Sequence, residues 1–190
     1  MSERTPRFSI ADLDPGDEEA VRQAAELLVE GFRDDWPEAW PDMDAALREV
    51  HESIGEGRIC RVALDQSGAV LGWIGGIPSY DGNVWELHPL VVRPDLQRRG
   101  IGRALVADLE QRVRERGGLT LWLGTDDETG MTTLSGVDLY PSVLEHLANI
   151  ENLRGHPYTF YQRLGFSIIG AMPDANGPGK PDIYMAKRCR

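Results

Sequence analysis

The chain has 190 residues, 41% hydrophobic and 27% charged, with 31 acidic against 20 basic side chains and a net charge of −11. That length predicts one domain, residues 1–190, with a substantial core, and the acidity argues against nucleic acid or an anionic membrane as partner while suiting equally plain solubility or a cationic substrate. No apolar run reaches bilayer length, MSERTPRFSI holds no leader-type stretch, and Cys60 and Cys189 suggest neither a disulfide framework nor a metal cluster, so a cytoplasmic protein without metal is expected.

Phe8–Leu13 reads as a first strand, and the turn Asp14-Pro15-Gly16-Asp17 leads into a helix. Val21, Ala24, Ala25, Leu28 and Phe32 recur at helical spacing through Glu18–Phe32. The next nine residues hold two prolines and two tryptophans, which excludes regular helix. Asp42 caps a second helix running to Glu56. Ile59–Leu64 and Val70–Tyr80 form a hairpin across Asp65-Gln66-Ser67-Gly68, and Asp81-Gly82-Asn83 turns into a central strand, Val84–Val92. A helix spans Ile101–Arg116, with Ile101, Leu105, Leu109 and Val113 in one stripe, and Gly117 and Gly118 end it. Leu119–Thr125 is a strand, the segment from Asp126 to Gly136 is an aperiodic polar loop, and Val137–Leu153 is expected to be an amphipathic helix. Helix resumes over Pro157–Leu164, and strands Phe166–Met172 and Asp182–Ala186 close the chain around a Pro/Gly-rich loop. The order β-α-α-β-β-β-α-β-α-β-β predicts an α+β domain: a central mixed, mostly antiparallel sheet with helices on both faces.

The join of the central strand to the following helix carries the chemistry. There Gln97-Arg98-Arg99-Gly100-Ile101-Gly102 places two glycines at a helix start, whose free N–H groups favour an anion. The arginines from Arg93 to Arg116 are seven of the chain's 20 basic residues, against a net charge of −11, and point to a phosphate-bearing ligand. A tight turn beside a solvated arginine face is the plainer alternative. No Gly-Lys-Ser/Thr follows, which excludes a P-loop, and a dinucleotide fingerprint needs three glycines in the first βαβ unit.

Gln-x-x-Gly-x-Gly after a strand and a proline turn resembles the acetyl-CoA pyrophosphate loop of the GNAT N-acetyltransferases. The element order matches that fold, and Phe160-Tyr161-Gln162-Arg163-Leu164-Gly165-Phe166 resembles the family's F-Y-x-x-x-G-F signature. Within the family the chain is most similar to the aminoglycoside 6′-N-acetyltransferases, through WELHPLVV (85–92), LGTDD (123–127), TTLS (132–135), HPYTFYQRLG (156–165) and KPDIYMAK (180–187). Before residue 70 only Trp36-Pro37-Glu38 stands out, and Arg154 and Pro157 stand where the family usually has asparagine and alanine.

The resemblance implies acetyl transfer from acetyl-CoA to a primary amine. Leu90, Val91, Val92, Gln97, Arg98, Arg99, Gly100, Ile101, Gly102 and Arg103 are the expected cofactor contacts, with the backbone amides of Leu90–Val92 polarising the thioester carbonyl. Glu86 and His88, two apart on a strand, share a face, with Leu90 and Val92 in the same row. Glu86, with His88 beside it, is the candidate base, and Tyr161 the candidate acid. Trp36, Glu38, Glu86, Asp126 and Asp127 are the expected contacts to a cationic, aminoglycoside-like amine. Asp182 is a weaker candidate, and Trp40, Tyr80 and Trp85 are read as packing. A homodimer is expected by the same resemblance. The plainer alternatives are an arginine-paired Glu86, a packed His88, a core Tyr161 and a solvated acidic loop. Another acceptor amine, or a non-catalytic acetyl-CoA-binding module, are the competing functions.

Overall fold

The computed structural model describes residues 7–189; the N-terminal residues on which the absence of a leader was read lie partly outside them. Two compact units are present, one made of residues 7–119 with Cys189, the other of Thr120–Arg188.

In the first unit, β1 (Ser9–Asp12), β2 (Ile59–Leu64), β3 (Val70–Ser79) and β4 (Val84–Val92) pair in that order, each antiparallel to the next. Helices α1 (Glu18–Phe32) and α2 (Met43–Ser53) cover one face. Both start where a carboxylate accepts a free amide: Asp17 from Ala20 N, and Asp42 from Ala45 N. Their apolar stripes meet Cys60, Val62, Val70, Trp73 and Val91, and Trp73 Nε1–H donates to Ala24 O at 3.0 Å, which satisfies the one polar atom of a fully buried indole.

Helix α3 (Ile101–Glu115) covers the opposite face. It approaches closely because β3 is bare at Gly76, where a Cβ would stand 2.7 Å from Leu109 Cδ1. On this face Arg61 is buried and bonded to Asp108 of α3 at 2.7 Å and to Asp12 of β1 at 2.5 Å. A buried guanidinium needs such partners, since an uncompensated charge would cost several kcal/mol.

The β3–β4 ladder contains a bulge. Ile74 pairs with Leu90 but Gly76 pairs with Leu87, so Gly75 stands opposite both His88 and Pro89. Proline cannot donate to a ladder and is tolerated inside a strand at such a place. The extra residue reverses the alternation. His88 faces Glu49 of α2, and Val91 packs on Gly31 of α1. Leu90 lies in the row Arg61–Ile74–Leu90, on the α3 side. The expectation that Leu90 and Val92 share a row with Glu86 and His88 is therefore corrected.

In the second unit, β5 (Thr120–Asp126), β7 (Asp182–Arg188) and β6 (Ser167–Met172) form an antiparallel sheet in the order β5-β7-β6. Helices α4 (Val143–Ala148) and α5 (Tyr158–Arg163) lie between β5 and β6 in sequence. The long helix expected over Val137–Leu153 is reduced to α4 alone. Pro141 interrupts the segment, and Tyr140, Leu144 and Leu153 are exposed, so the apolar spacing there was not a buried stripe. Among the described residues no helix is long and apolar enough to cross a membrane.

Candidate active site

The start of α3 is shaped for an anion. Gly100 is the N-cap at φ +89°, where a side chain is strained, and nothing stands within 4 Å of its missing Cβ. No side chain caps the helix, so its first amides keep their donors for a ligand. Of the arginines in this region, Arg93 is bound to Asp95, Arg112 to Glu115, Arg114 to Gln111 Oε1 at 3.0 Å, and Arg116 to the carbonyls of Gly57 and Arg58 while lying over Trp85. Arg98, Arg99 and Arg103 form no hydrogen bond or salt bridge among the described residues. The cations left over are the three that flank Gly100. Gln97 donates to Val92 O at 3.4 Å, and the Ile101 and Val91 side chains are buried, so those two residues can offer a ligand only their backbone.

Glu86 and His88 are half-buried on the face of β4 that meets α1 and α2. No ion pair involves Glu86 among the described residues, so the arginine-paired reading does not hold. His88 has a partner that sequence reasoning missed: its Nε2 lies 3.8 Å from Glu49 Oε1. Burial opposes charging the imidazole, but Glu49 and the nearby Glu86 outweigh it and lift the His88 pKa above its usual value; the contact with His88 in turn lowers that of Glu49. A signal for Glu49 existed: Ala46, Val50 and Ser53 form the buried stripe of α2, and Glu49 lies within that spacing. Trp40, read as packing, does pack: it is edge-on to Phe32 at 4.6 Å and 5.9 Å from the His88 ring. Trp36 is half-buried and tilted against Phe32 at 5.7 Å, and Glu38 is exposed.

In the second unit the two aspartates after β5 part company. Asp126 is half-buried and accepts from Asn176 Nδ2. Asp127 is 0% exposed, with Oδ1 accepting from Met131 N and Oδ2 from Thr132 N, each at 2.7 Å. Its carboxylate builds the loop, which corrects the expectation that it faces an acceptor. His156, also missed, is buried. Tyr158 N–H donates to its Nδ1 at 3.2 Å, so the proton sits on Nε2 and is donated to Asp126 O at 3.0 Å. That histidine ties the start of α5 to the end of β5. Tyr161 is buried on α5 between Phe160 and Phe166, and burial pushes its hydroxyl pKa above the usual value. The Asp182 carboxylate lies over Gly124, where a Cβ would meet Oδ2 at 2.4 Å.

The family model for the acetyltransferase (GNAT) family matches residues 22–134. The chain belongs to the GNAT acetyltransferase family. A solved aminoglycoside 6′-N-acetyltransferase complexed with coenzyme A is 43% identical to this GNAT protein, with 96% of this chain and 97% of that one covered and a TM-score of 0.87. The aminoglycoside 6′-N-acetyltransferase from Enterococcus faecium is 41% identical over the same shares, with a TM-score of 0.84. The [ribosomal protein bS18]-alanine N-acetyltransferase of Salmonella typhimurium is 36% identical over 87 residues, 46% of this chain and 54% of that enzyme, so the GNAT chain spans about half the length of the curated relative it matches.

Proposed function

We propose that the chain acts as one domain that acetylates a primary amine from acetyl-CoA, with the 6′-amino group of an aminoglycoside as the favoured acceptor. The observation that carries this reading is the uncapped start of α3 at Gly100, flanked by Arg98, Arg99 and Arg103, which form no hydrogen bond or salt bridge among the described residues. Bare amides and free guanidiniums suit a diphosphate. Likeness to two aminoglycoside 6′-N-acetyltransferases over nearly the whole chain supports the acceptor.

Bound acetyl-CoA supplies the activated acetyl group as a thioester. The amides of Ile101, Gly102 and Arg103, with the three arginines, hold its diphosphate. Backbone amides near Leu90–Val92 are assigned to the carbonyl oxygen. An amine of pKa about 10 is largely protonated at neutrality, so the Glu86–His88 pair removes the proton before attack. Tyr161 Oη keeps its own proton and holds it for the leaving sulfur. Trp36, Glu38 and Asp126 are assigned to the cationic acceptor, which the net charge of −11 attracts. The finer parts of this reading are a cytoplasmic homodimer and a role in antibiotic resistance. Size-exclusion chromatography with light scattering tests the dimer.

The deciding experiment is thiol release from acetyl-CoA with kanamycin or tobramycin, against simple polyamines and no acceptor. Release that needs the drug supports the reading. Release with polyamines alone favours a different acceptor, as does release with an N-terminal alanine peptide, the reading suggested by the Salmonella relative. No release with any of these, alongside intact acetyl-CoA binding, leaves a binding module.

A further inference from the structure

Glu49 sits on α2, outside every motif that marked the site. Its side chain is 17% exposed and faces His88, which is 42% exposed. Ser53, one turn further along α2 and buried, donates from Oγ to the same Glu49 Oε1 at 3.3 Å. That bond fixes the carboxylate in the groove between α2 and β4 instead of letting it turn to water. A half-buried carboxylate in the apolar stripe of a helix is costly unless something opposite compensates it. The group opposite is the Nε2 edge of the imidazole, at 3.8 Å. Trp40, 5.9 Å from the ring, is packed beside it, and the bulge at Pro89 sets the side of the sheet on which His88 stands.

We propose that Glu49 is a positioning residue for acetyl transfer: it holds the Nε2 edge of His88, so that Nδ1 is the atom that accepts the proton of the acceptor amine. This rests on the amine-acetylation reading above and refines the roles within the Glu86–His88 pair. In the step, the ammonium N–H bond breaks and an Nδ1–H bond forms. The electron pair stays on the amine, which becomes the nucleophile, and the imidazolium is balanced by Glu49. Glu86 then holds the cationic acceptor. The arrangement follows the logic of a carboxylate that orients a catalytic histidine from behind. The charged groups facing His88 are Glu49 from α2, Glu86 from its own strand and Arg58 from the turn before β2. Burial and Arg58 disfavour the imidazolium, and the two carboxylates more than offset them, so the imidazole titrates above 6.5. A base that titrates closer to the working pH transfers protons more efficiently.

The test follows the His88 ring by NMR in the full chain, wild type against Glu49→Gln, with the histidine assigned through a His88→Gln variant. Glu49→Gln is expected to lower the His88 titration midpoint by about one pH unit, a tenfold loss of proton affinity. The acidic limb of kcat/KM for the acceptor should move down in parallel, with the KM for acetyl-CoA unchanged, and Glu49→Asp should restore part of both shifts. A His88 midpoint that does not move in Glu49→Gln overturns the pairing. A midpoint that moves while the acidic limb stays in place overturns Nδ1 as proton acceptor. If the wild type acetylates no amine, the acetylation reading falls and the catalytic role falls with it, whereas the NMR midpoint still decides the pairing by itself.

Discussion

His88 and Val91 lie three residues apart on β4 and yet face the same pair of helices: His88 meets Glu49 of α2, and Val91 packs on Gly31 of α1. In an unbroken strand, positions three apart face opposite ways. The bulge opposite Gly75 joins a polar half of the strand, which carries Glu86 and His88, to an apolar half that closes the core on the same face.

Gly75 should therefore tolerate nothing larger. A Cβ there would stand 2.2 Å from His88 O, a backbone atom that cannot rotate aside. Gly75→Ala is expected to cost about 1–3 kcal/mol or more, as overpacking does, and to lower turnover with it. Gly170→Ala, whose Cβ would meet nothing nearer than 4.0 Å, is the control. Denaturant midpoints with unchanged slope check both, and an unshifted midpoint for Gly75→Ala would mean the bulge is not rigid.

Gly100→Asp should weaken acetyl-CoA binding at least tenfold while the protein stays folded. The new side chain meets open space, so its folding cost is limited to left-handed backbone strain, about 1–2 kcal/mol, whereas its charge opposes the diphosphate. Arg99→Ala and Arg103→Ala should weaken binding by smaller steps and flatten its salt dependence. Calorimetry at two ionic strengths measures both effects, and unchanged affinity in Gly100→Asp removes the cofactor from this helix start.

Glu86→Ala, which removes the carboxylate that holds the cationic acceptor, should lower kcat/KM for the acceptor, and Tyr161→Phe should lower kcat by about 10²-fold for a lost acid, each with little change in acetyl-CoA affinity. Because burial raises the Tyr161 pKa above 10, its hydroxyl stays protonated across the working range, and no alkaline limb from this group is expected below pH 10. A full pH–rate profile of wild type and Tyr161→Phe tests this; loss of an alkaline limb below pH 10 in the variant would contradict it.

The adjacent aspartates should separate by phenotype. Asp127→Ala strips two buried amides of their acceptor and should cost roughly 2–4 kcal/mol, with faster proteolysis of the loop after β5. Asp126→Asn should leave stability nearly unaltered and raise the KM for a polycationic acceptor. An unaltered KM returns Asp126 to an ordinary loop role.

How much of this was readable follows from what each signal depends on. Glu18–Phe32 was legible because its period and its Asp17 cap are local properties, and Val84–Val92 because it is an apolar, β-branched run with few breaks. The bulge depends on pairing with β3, which no local pattern reports, although Pro89 in mid-strand was a hint. Val137–Leu153 misleads because its apolar spacing runs on past Pro141, which interrupts the helix. Asp127 was legible as an acidic residue after a strand, but whether such a carboxylate meets water or two amides is decided by residues 131 and 132 folding back onto it. Glu49 stayed hidden because the partner that gives it meaning lies on another element.

Glu49 and His88 also set a pH window for stability. The folded pKa of His88 is raised, so its contribution is fully present below the unfolded value of about 6.5 and is lost as pH rises through the folded value. The folded pKa of Glu49 is depressed, so its contribution is present above about 4.5 and is lost as pH falls through the folded value. The difference in thermal midpoint between wild type and Glu49→Gln should be largest between these pH values and shrink above them. A difference that is flat in pH would mean the two side chains do not interact.

Cys60 and Cys189 are both buried, and burial lifts the Cys60 thiol to about 12. In the folded chain this thiol is therefore almost wholly protonated and shielded, a poor nucleophile toward aromatic disulfide reagents. Colour developed by such a reagent during turnover then reports free coenzyme A with little background from the enzyme. The same reagent, reacting with protein alone, would register unfolding as the appearance of new thiols.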